Sequence, residues 1–311
     1  MIKLRGATEN CKNKRINIKG INIMNIQTDN NNIILEDVED FILSQILECG
    51  QCFHFEKTDE EEYNIMAYGR ALHIKQTDNN VILYNTSMED YENVWKNYFD
   101  MENDYSVIKE AVRNADVSLE AAINSKAGIR ILNQDFFETL ISFIISQNKQ
   151  ITQIKQIVKN ISHNFGTAVI GYNGDTFYNF PDAVTLNQVT EEELRLCKTG
   201  FRAPYIKDAC EKVCNGEVTK EKMDKLSFYE ARELLMTIKG VGEKVANCVL
   251  LFGLGRREAF PVDVWIKRIM EQMYFEGKDT KKNDIEAFAV EKFGKYGGYA
   301  QQYLFEYSRN K

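Results

Sequence analysis

The hydrophobic period of this chain changes near residue 90, and that change sets its architecture. Before it, short β-branched runs alternate apolar and polar residues at 20–24, 63–67, 71–75 and 81–84, a period of two that buries one face of a strand. Turn-forming clusters of Asp, Asn, Glu and Gly separate them at 29–32, 59–62, 69 and 78–80. A stretch at 38–47 predicts one helix against this antiparallel sheet. Beyond residue 90 the period is helical. Asp135 with Glu138, and Ser227 with Glu230, have capping-box spacing, each just ahead of an apolar helix. The chain therefore reads as α+β: a basic segment at 1–24, an N-terminal antiparallel sheet domain with helices at 25–118, and an all-helical domain at 119–311.

At 311 residues the chain is long enough for two domains, and its 44% apolar content supplies their cores. No apolar run approaches the ~18 residues needed to span a bilayer, and nothing near the N-terminus reads as a secretory signal. A cytoplasmic protein with no membrane partner is expected, and an Asn- and Ile-rich composition points to a prokaryote. The net charge of −7 argues against a uniformly basic surface but permits a local one. Segment 1–24 carries six basic side chains against Glu9, so it is +5 and the remainder −12. It reads either as a basic arm or as sequence upstream of a second start at Met24. Seven cysteines, an odd number, fit reduced thiols. Cys49 and Cys52 have the CxxC spacing of redox and zinc sites, but no second CxxC and no histidine cluster accompanies them, so buried thiols and no metal are expected.

The most informative stretch runs from Leu234 to Phe252. A capped helix enters Gly240-Val-Gly242, and a second apolar helix follows at once. The two glycines let backbone N–H groups turn outward together at the N-terminus of the second helix, an arrangement that suits a phosphate oxygen. This describes a helix-hairpin-helix at about 228–252, gripping a nucleic-acid backbone through Gly240, Val241 and Gly242 without reading bases; a ligand-free glycine turn has the same pattern. Lys244 stands in the first turn of the second helix, where the macrodipole disfavours a cation. Such a lysine either binds phosphate or serves as an amine with a lowered pKa. Cys248, four residues on, shares its face. After a loop at about 253–263, Asp263 precedes another apolar-periodic helix, the position of an N-cap. A carboxylate there, facing Lys244, would also stabilise positive charge developing on a sugar.

Gly-Val-Gly-x-Lys-Val-Ala-x-Cys followed by Pro261-Val-Asp263-Val resembles the helix-hairpin-helix glycosylases, and within them the 8-oxoguanine DNA glycosylase family. The likeness also takes in Gly50-Gln-Cys-Phe53, Gly128-Ile-Arg-Ile-Leu132, Ser146-Gln-Asn148, Gly200-Phe-Arg202-Ala and Ala300-Gln-Gln-Tyr-Leu-Phe305, most of the chain. The resemblance implies a monomeric repair enzyme that excises 8-oxoguanine from double-stranded DNA and cuts the strand by β-elimination. It implies no cofactor, apart from a monovalent cation that can sit among the hairpin carbonyls as in relatives. Lys244 is implied as the nucleophile and Asp263 as the catalytic aspartate. The Gly50 carbonyl is implied to read the N7 hydrogen of the lesion, Cys248 and Phe305 to sandwich the flipped base, and Gln301 to read its Watson–Crick edge. Asn148 and Arg202 are implied to fill the vacated space and contact the opposite cytosine, with Phe201 in place of a tyrosine wedge. The chain departs from the pattern with Gln153 at a usual arginine, Trp265 at a backbone-binding histidine and Lys239 at a proline. The neutral Gln153 leads to an expectation of weaker discrimination among bases opposite the lesion. Two other readings share part of the pattern: a monofunctional alkyl-base glycosylase, which would use water in place of lysine, and a non-catalytic helix-hairpin-helix DNA-binding protein.

Overall fold

The computed structural model of the protein describes residues 14–15 and 25–309. Seven strands form one antiparallel sheet: β1 (Lys14–Arg15), β2 (Asn25–Asp29), β3 (Asn32–Glu36), β4 (Phe55–Asp59), β5 (Glu62–Ala67), β6 (Arg70–Thr77) and β7 (Asn80–Tyr84), ordered β1-β2-β3-β7-β6-β5-β4. Asn30, Glu61 and Asp78 adopt φ of 54°, 50° and 52°, the left-handed backbone that closes tight hairpins. The run expected at 20–24 lies outside the described residues, as does the basic segment apart from 14–15. β4 escapes an alternation search because, after Phe55, its side chains are all exposed. From one face of the sheet Ile33, Leu35, Tyr63, Ile65, Ile74 and Leu83 meet Phe41, Trp95 and Phe99 in a core of their own.

The helix expected over 38–47 shrinks to α1 (Leu43–Leu47). Upstream amides are taken by distant carbonyls, Val38 N by Asn79 O at 2.8 Å and Ile42 N by Gly128 O at 3.0 Å, so no helical turn closes there. Helix α2 (Tyr105–Ala115), ahead of the expected boundary at 119, sends Tyr105, Ile108 and Val112 into the same core as the longer helices. Its other face is polar, which hides the helix from a composition shift.

The longer helices that follow are α3 (Phe136–Ser146), α4 (Ile151–Phe165), α5 (Ala203–Cys214), α6 (Phe228–Met236), α7 (Glu243–Gly253), α8 (Val264–Tyr274), α9 (Lys282–Phe293) and α10 (Gly297–Arg309). A small hairpin, β8 (Ala168–Ile170) with β9 (Thr176–Tyr178), follows α4. Helix α3 is buried along nearly its whole length and packs on α7. Ser227 and Glu230 close both bonds of a capping box on α6. Asp135 caps α3 through Glu138 N at 2.9 Å, but Glu138 turns instead to His54 at 3.0 Å. No described helix is long and apolar enough to cross a membrane.

Two buried polar side chains join the cores. Gln51 donates to Ile46 O and Arg130 O, both at 2.8 Å, and accepts from Leu132 N at 2.9 Å. Arg130 donates to the carbonyls of Phe99, Asp100 and Asn103 at 3.0, 2.7 and 3.0 Å. These bonds fix Gly50, one residue before Gln51, against the helical body.

Candidate active site

The turn between α6 and α7 is held from outside. Lys239 N donates to Asp208 Oδ2 at 2.8 Å, and Lys212 of α5 donates to Thr237 O. Gly240 adopts φ of 76°, and a Cβ there would lie 2.3 Å from the Tyr205 ring, so both conformation and space demand glycine. Gly242 is the exposed N-cap of α7 and brings no side chain to that end. The first bond of the helix runs from Ala246 N to Gly242 O at 2.9 Å, and the preceding amides stay free of the intrahelical ladder.

Lys244 rises half-buried from this first turn, its Nζ 5.1 Å from the centroid of the Phe143 ring. Phe143 stacks on Phe252 (5.5 Å) and meets Phe53 edge-on (5.6 Å), an aromatic floor that shields the amine from water on one side. One turn along α7, burial pushes the Cys248 thiol above its ordinary pKa, opposed by the charge and hydrogen bond of Lys244. Asp263 caps α8, its Oδ1 accepting from Trp265 N at 3.0 Å and Ile266 N at 2.8 Å. Lys244 and Asp263 line one cleft of about 890 Å³.

Gly50, Asn148, Gly242, Trp265 and Phe305 line the same cleft. Gly50 adopts φ of 78°, and a Cβ there would meet Ile151 Cδ1 at 3.3 Å and Phe305 Cε1 at 3.6 Å. Its flanking cysteines hold the loop. Cys49 Sγ donates to Ile46 O at 3.2 Å and Cys52 Sγ to Leu47 O at 3.7 Å, and burial pushes the Cys49 thiol up to about 12. The CxxC is a buried structural pair, and no His/Cys/Asp/Glu group among the described residues could hold a metal ion.

Cys248 and Gln301 sit behind the cleft wall, 3% and 5% exposed. The Gln301 Oε1 has no hydrogen-bond partner among the described residues, a buried acceptor waiting for a donor. Gly240 and Val241 lie off the cleft, in the turn itself. Phe201 projects into solvent, and the Arg202 guanidinium lies 4.2 Å from its ring centroid. Arg202 is only 2% exposed and donates to Gln147 O and, at 3.3 Å, to Thr199 O; burial lowers its pKa. Gln153 also stands apart from the cleft. Its Oε1 accepts from Gln150 N at 3.2 Å, completing a capping box on α4.

Sequence reasoning missed several lining groups. Phe143 lies within a strongly apolar helix and reads as core. Lys149, Lys282 and Arg309 bring positive charge to the cleft from three separate segments. Asn247 and Glu286 line it too, with Glu286 bound to Arg232 at 2.5 Å and its carboxyl raised by burial. Only the three-residue step from Lys244 to Asn247 on one helix could have signalled the last pair.

Residues 32–140 match the family described as 8-oxoguanine DNA glycosylase, N-terminal domain, and residues 141–295 match the HhH-GPD superfamily base excision DNA repair protein family. A probable N-glycosylase/DNA lyase of Methanothermobacter thermautotrophicus is 33% identical over 244 residues, 72% of this chain and 75% of that protein. Among solved structures, MBOgg1 in complex with a low-affinity DNA ligand is similar at 41% identity and a TM-score of 0.88, over 92% of this chain and 98% of its own. The Clostridium acetobutylicum 8-oxoguanine glycosylase/lyase, bound to double-stranded DNA with cytosine opposite 8-oxoguanine, is 38% identical with a TM-score of 0.88, over 92% and 97%. Two adjoining family matches and a fold shared along nearly the whole chain make this protein a member of the 8-oxoguanine DNA glycosylase family.

Proposed function

We infer that the protein is a bifunctional DNA repair glycosylase that removes 8-oxoguanine from duplex DNA and then cuts the strand as a lyase. The observation that carries this is the meeting of Lys244 and Asp263 in one cleft beside a helix-hairpin-helix. The free amides at the N-terminus of α7 grip a backbone phosphate, and Lys149, Lys282 and Arg309 add attraction along the cleft. The damaged nucleotide leaves the stack at a cost of a few kcal/mol, offset by stacking in the pocket. Phe305 and Cys248 supply the two faces. Gln301 Oε1 accepts from the N–H groups of the guanine edge, and the Gly50 carbonyl takes the N7 hydrogen that normal guanine lacks.

The Lys244 amine attacks C1′ as the bond to N9 breaks, and the base leaves with the electron pair and takes the proton that the newly bonded nitrogen releases. Asp263 stabilises the positive charge that spreads over the sugar in between. Ring opening gives a Schiff base between Nζ and C1′. Loss of a proton from C2′ then expels the 3′ phosphate by β-elimination. No step passes through a metal. A monovalent cation among the hairpin carbonyls remains part of the reading, with the Lys212 ammonium already supplying positive charge at Thr237 O. Borohydride reduction during reaction with an 8-oxoguanine:cytosine duplex tests the proposal: a covalent protein–DNA adduct is expected, and its absence alongside base release would mean that water is the nucleophile. The protein is further proposed to act as a monomer, which light scattering with and without duplex checks.

A further inference from the structure

A second cavity, of about 540 Å³, lies between the sheet edge, α4 and the β8–β9 hairpin. It adjoins the catalytic cleft and shares only Phe53 and Thr152 with it. Its volume is in the range of roughly 300–1,000 Å³ that holds small ligands. The walls are aromatic, with Phe55 on the sheet side and Phe177 and Tyr178 on the hairpin. Its charges are basic: Lys57, Lys155 and Lys159 line it against Glu56 alone, an excess of two. Lys159 pairs with Glu56 at 2.5 Å, and Lys57 reaches out to Glu48 at 3.1 Å.

Lys155 differs from both. It is half-buried, its Nζ lies 3.6 Å from the Phe55 ring centroid, and no carboxylate among the described residues comes within ion-pairing distance. Burial holds its pKa below the ordinary value, which a bound anion would reverse. Ser162, 2% exposed, lines the same cavity, and its Oγ has no hydrogen-bond partner among the described residues. A desolvated cation and an unsatisfied buried hydroxyl in one aromatic slot are each disfavoured until a ligand completes them.

We propose that this cavity is an accessory binding site for a small planar aromatic molecule carrying a phosphate, of the nucleoside monophosphate class. The rings of Phe177 and Tyr178 on the hairpin suit the planar body. Lys155, with Lys57 and Lys159 beside it, takes the phosphate. The Ser162 hydroxyl bonds a polar atom of the base or sugar.

Calorimetric titration of the full chain with deoxyguanosine monophosphate tests this. Binding at one site is expected, at least tenfold tighter than for deoxyguanosine or inorganic phosphate alone. It should persist in Lys244→Gln and in the presence of saturating lesion-free duplex, and weaken at least tenfold in Lys155→Met, which keeps the apolar stem. Ser162→Ala, lacking one hydroxyl only, should weaken it several-fold and serves as the readout if Lys155→Met fails to fold. Loss of binding in Lys244→Gln, or displacement by duplex, would assign the nucleotide to the catalytic cleft and overturn the proposal. So would equal binding of inorganic phosphate, indifference to both cavity substitutions, or no binding at all.

Discussion

Asp263 caps a helix and is proposed to act in catalysis, and the two roles can be pulled apart by magnitude. Its Oδ1 satisfies two amides of α8, at 3.0 and 2.8 Å, while the carboxylate charge faces the cleft. In Asp263→Asn the side-chain oxygen still accepts both bonds, and Asn caps helices about as well as Asp. What disappears is the charge, which near a helix N-terminus contributes about 0.3–1 kcal/mol to stability. Against a total stability of about 5–15 kcal/mol, the unfolded fraction stays below about 1%, and the melting temperature falls by about 4 °C or less. The effect on catalysis is larger. Removing one preorganised group that stabilises developing charge costs roughly 10²–10³ in rate, about 2.7–4 kcal/mol. Asp263→Ala should slow excision as much and also lose the cap, a further ~1–2 kcal/mol of stability. Single-turnover excision of an 8-oxoguanine:cytosine duplex, measured beside thermal melting for both variants, separates the roles. If Asp263→Asn excises within tenfold of wild type while Asp263→Ala falls in step with its melting temperature, the residue is a cap and the catalytic assignment is wrong.

Lys244→Gln should abolish excision and borohydride trapping and leave duplex affinity within a few-fold by fluorescence anisotropy, because the proposed phosphate grip belongs to backbone amides; surviving excision would move the nucleophile elsewhere. Gly50→Ala forces a Cβ into left-handed backbone and toward Ile151, so denaturant titration should show a loss of about 1–2 kcal/mol, with excision down more than tenfold as the carbonyl shifts; unchanged excision would remove that carbonyl from lesion recognition. Of the six described cysteines only Cys214 is exposed, and burial raises the thiols of Cys49 and Cys210 to about 12, so mapping of alkylated thiols at pH 8 should find Cys214 alone among the six. Rapid modification of Cys49 or Cys52 would revive the redox reading of the CxxC. Gln153→Arg opens the α4 capping box, costing about 1 kcal/mol or less, and should sharpen the preference for cytosine across the four pairings; an unchanged profile would leave Gln153 as a cap alone.

What the sequence made legible follows from locality. Gly240, Gly242, Lys244 and Cys248 lie within nine residues, so helical geometry alone puts the amine at a helix start and the thiol one turn on. Asp263 is legible as a cap for the same reason. Its approach to Lys244 is not local, because it depends on the loop that returns from α7 to α8. The sheet domain is legible where burial alternates along a strand, as at 81–84. It fades at β4, whose side chains after Phe55 are all exposed, and at 38–42, where amides pair across the fold and no period exists to read. Phe143 illustrates the opposite limit: a helix buried along nearly its whole length carries no sign of which ring supports an amine.

The residues on the opposite-base side show why matching positions do not fix a side chain's present partners. Arg202 is buried, donating to Gln147 O and Thr199 O beneath the exposed Phe201 ring. To reach a cytosine it must give up these bonds, each worth about 1.5–3 kcal/mol for a charged donor, so its contribution to recognition is the difference between two sets of acceptors. Gln153 is committed likewise, its oxygen held by Gln150 N. Asn148 alone of the three is exposed in the cleft, with its backbone already in the left-handed region at φ of 53°. Asn tolerates that conformation better than most residues, so its amide is presented without breaking any described bond. On the proposed reading, filling the gap left by a flipped base would therefore fall first to Asn148, and cytosine selection by Arg202 would require the Phe201 ring to lift from the guanidinium.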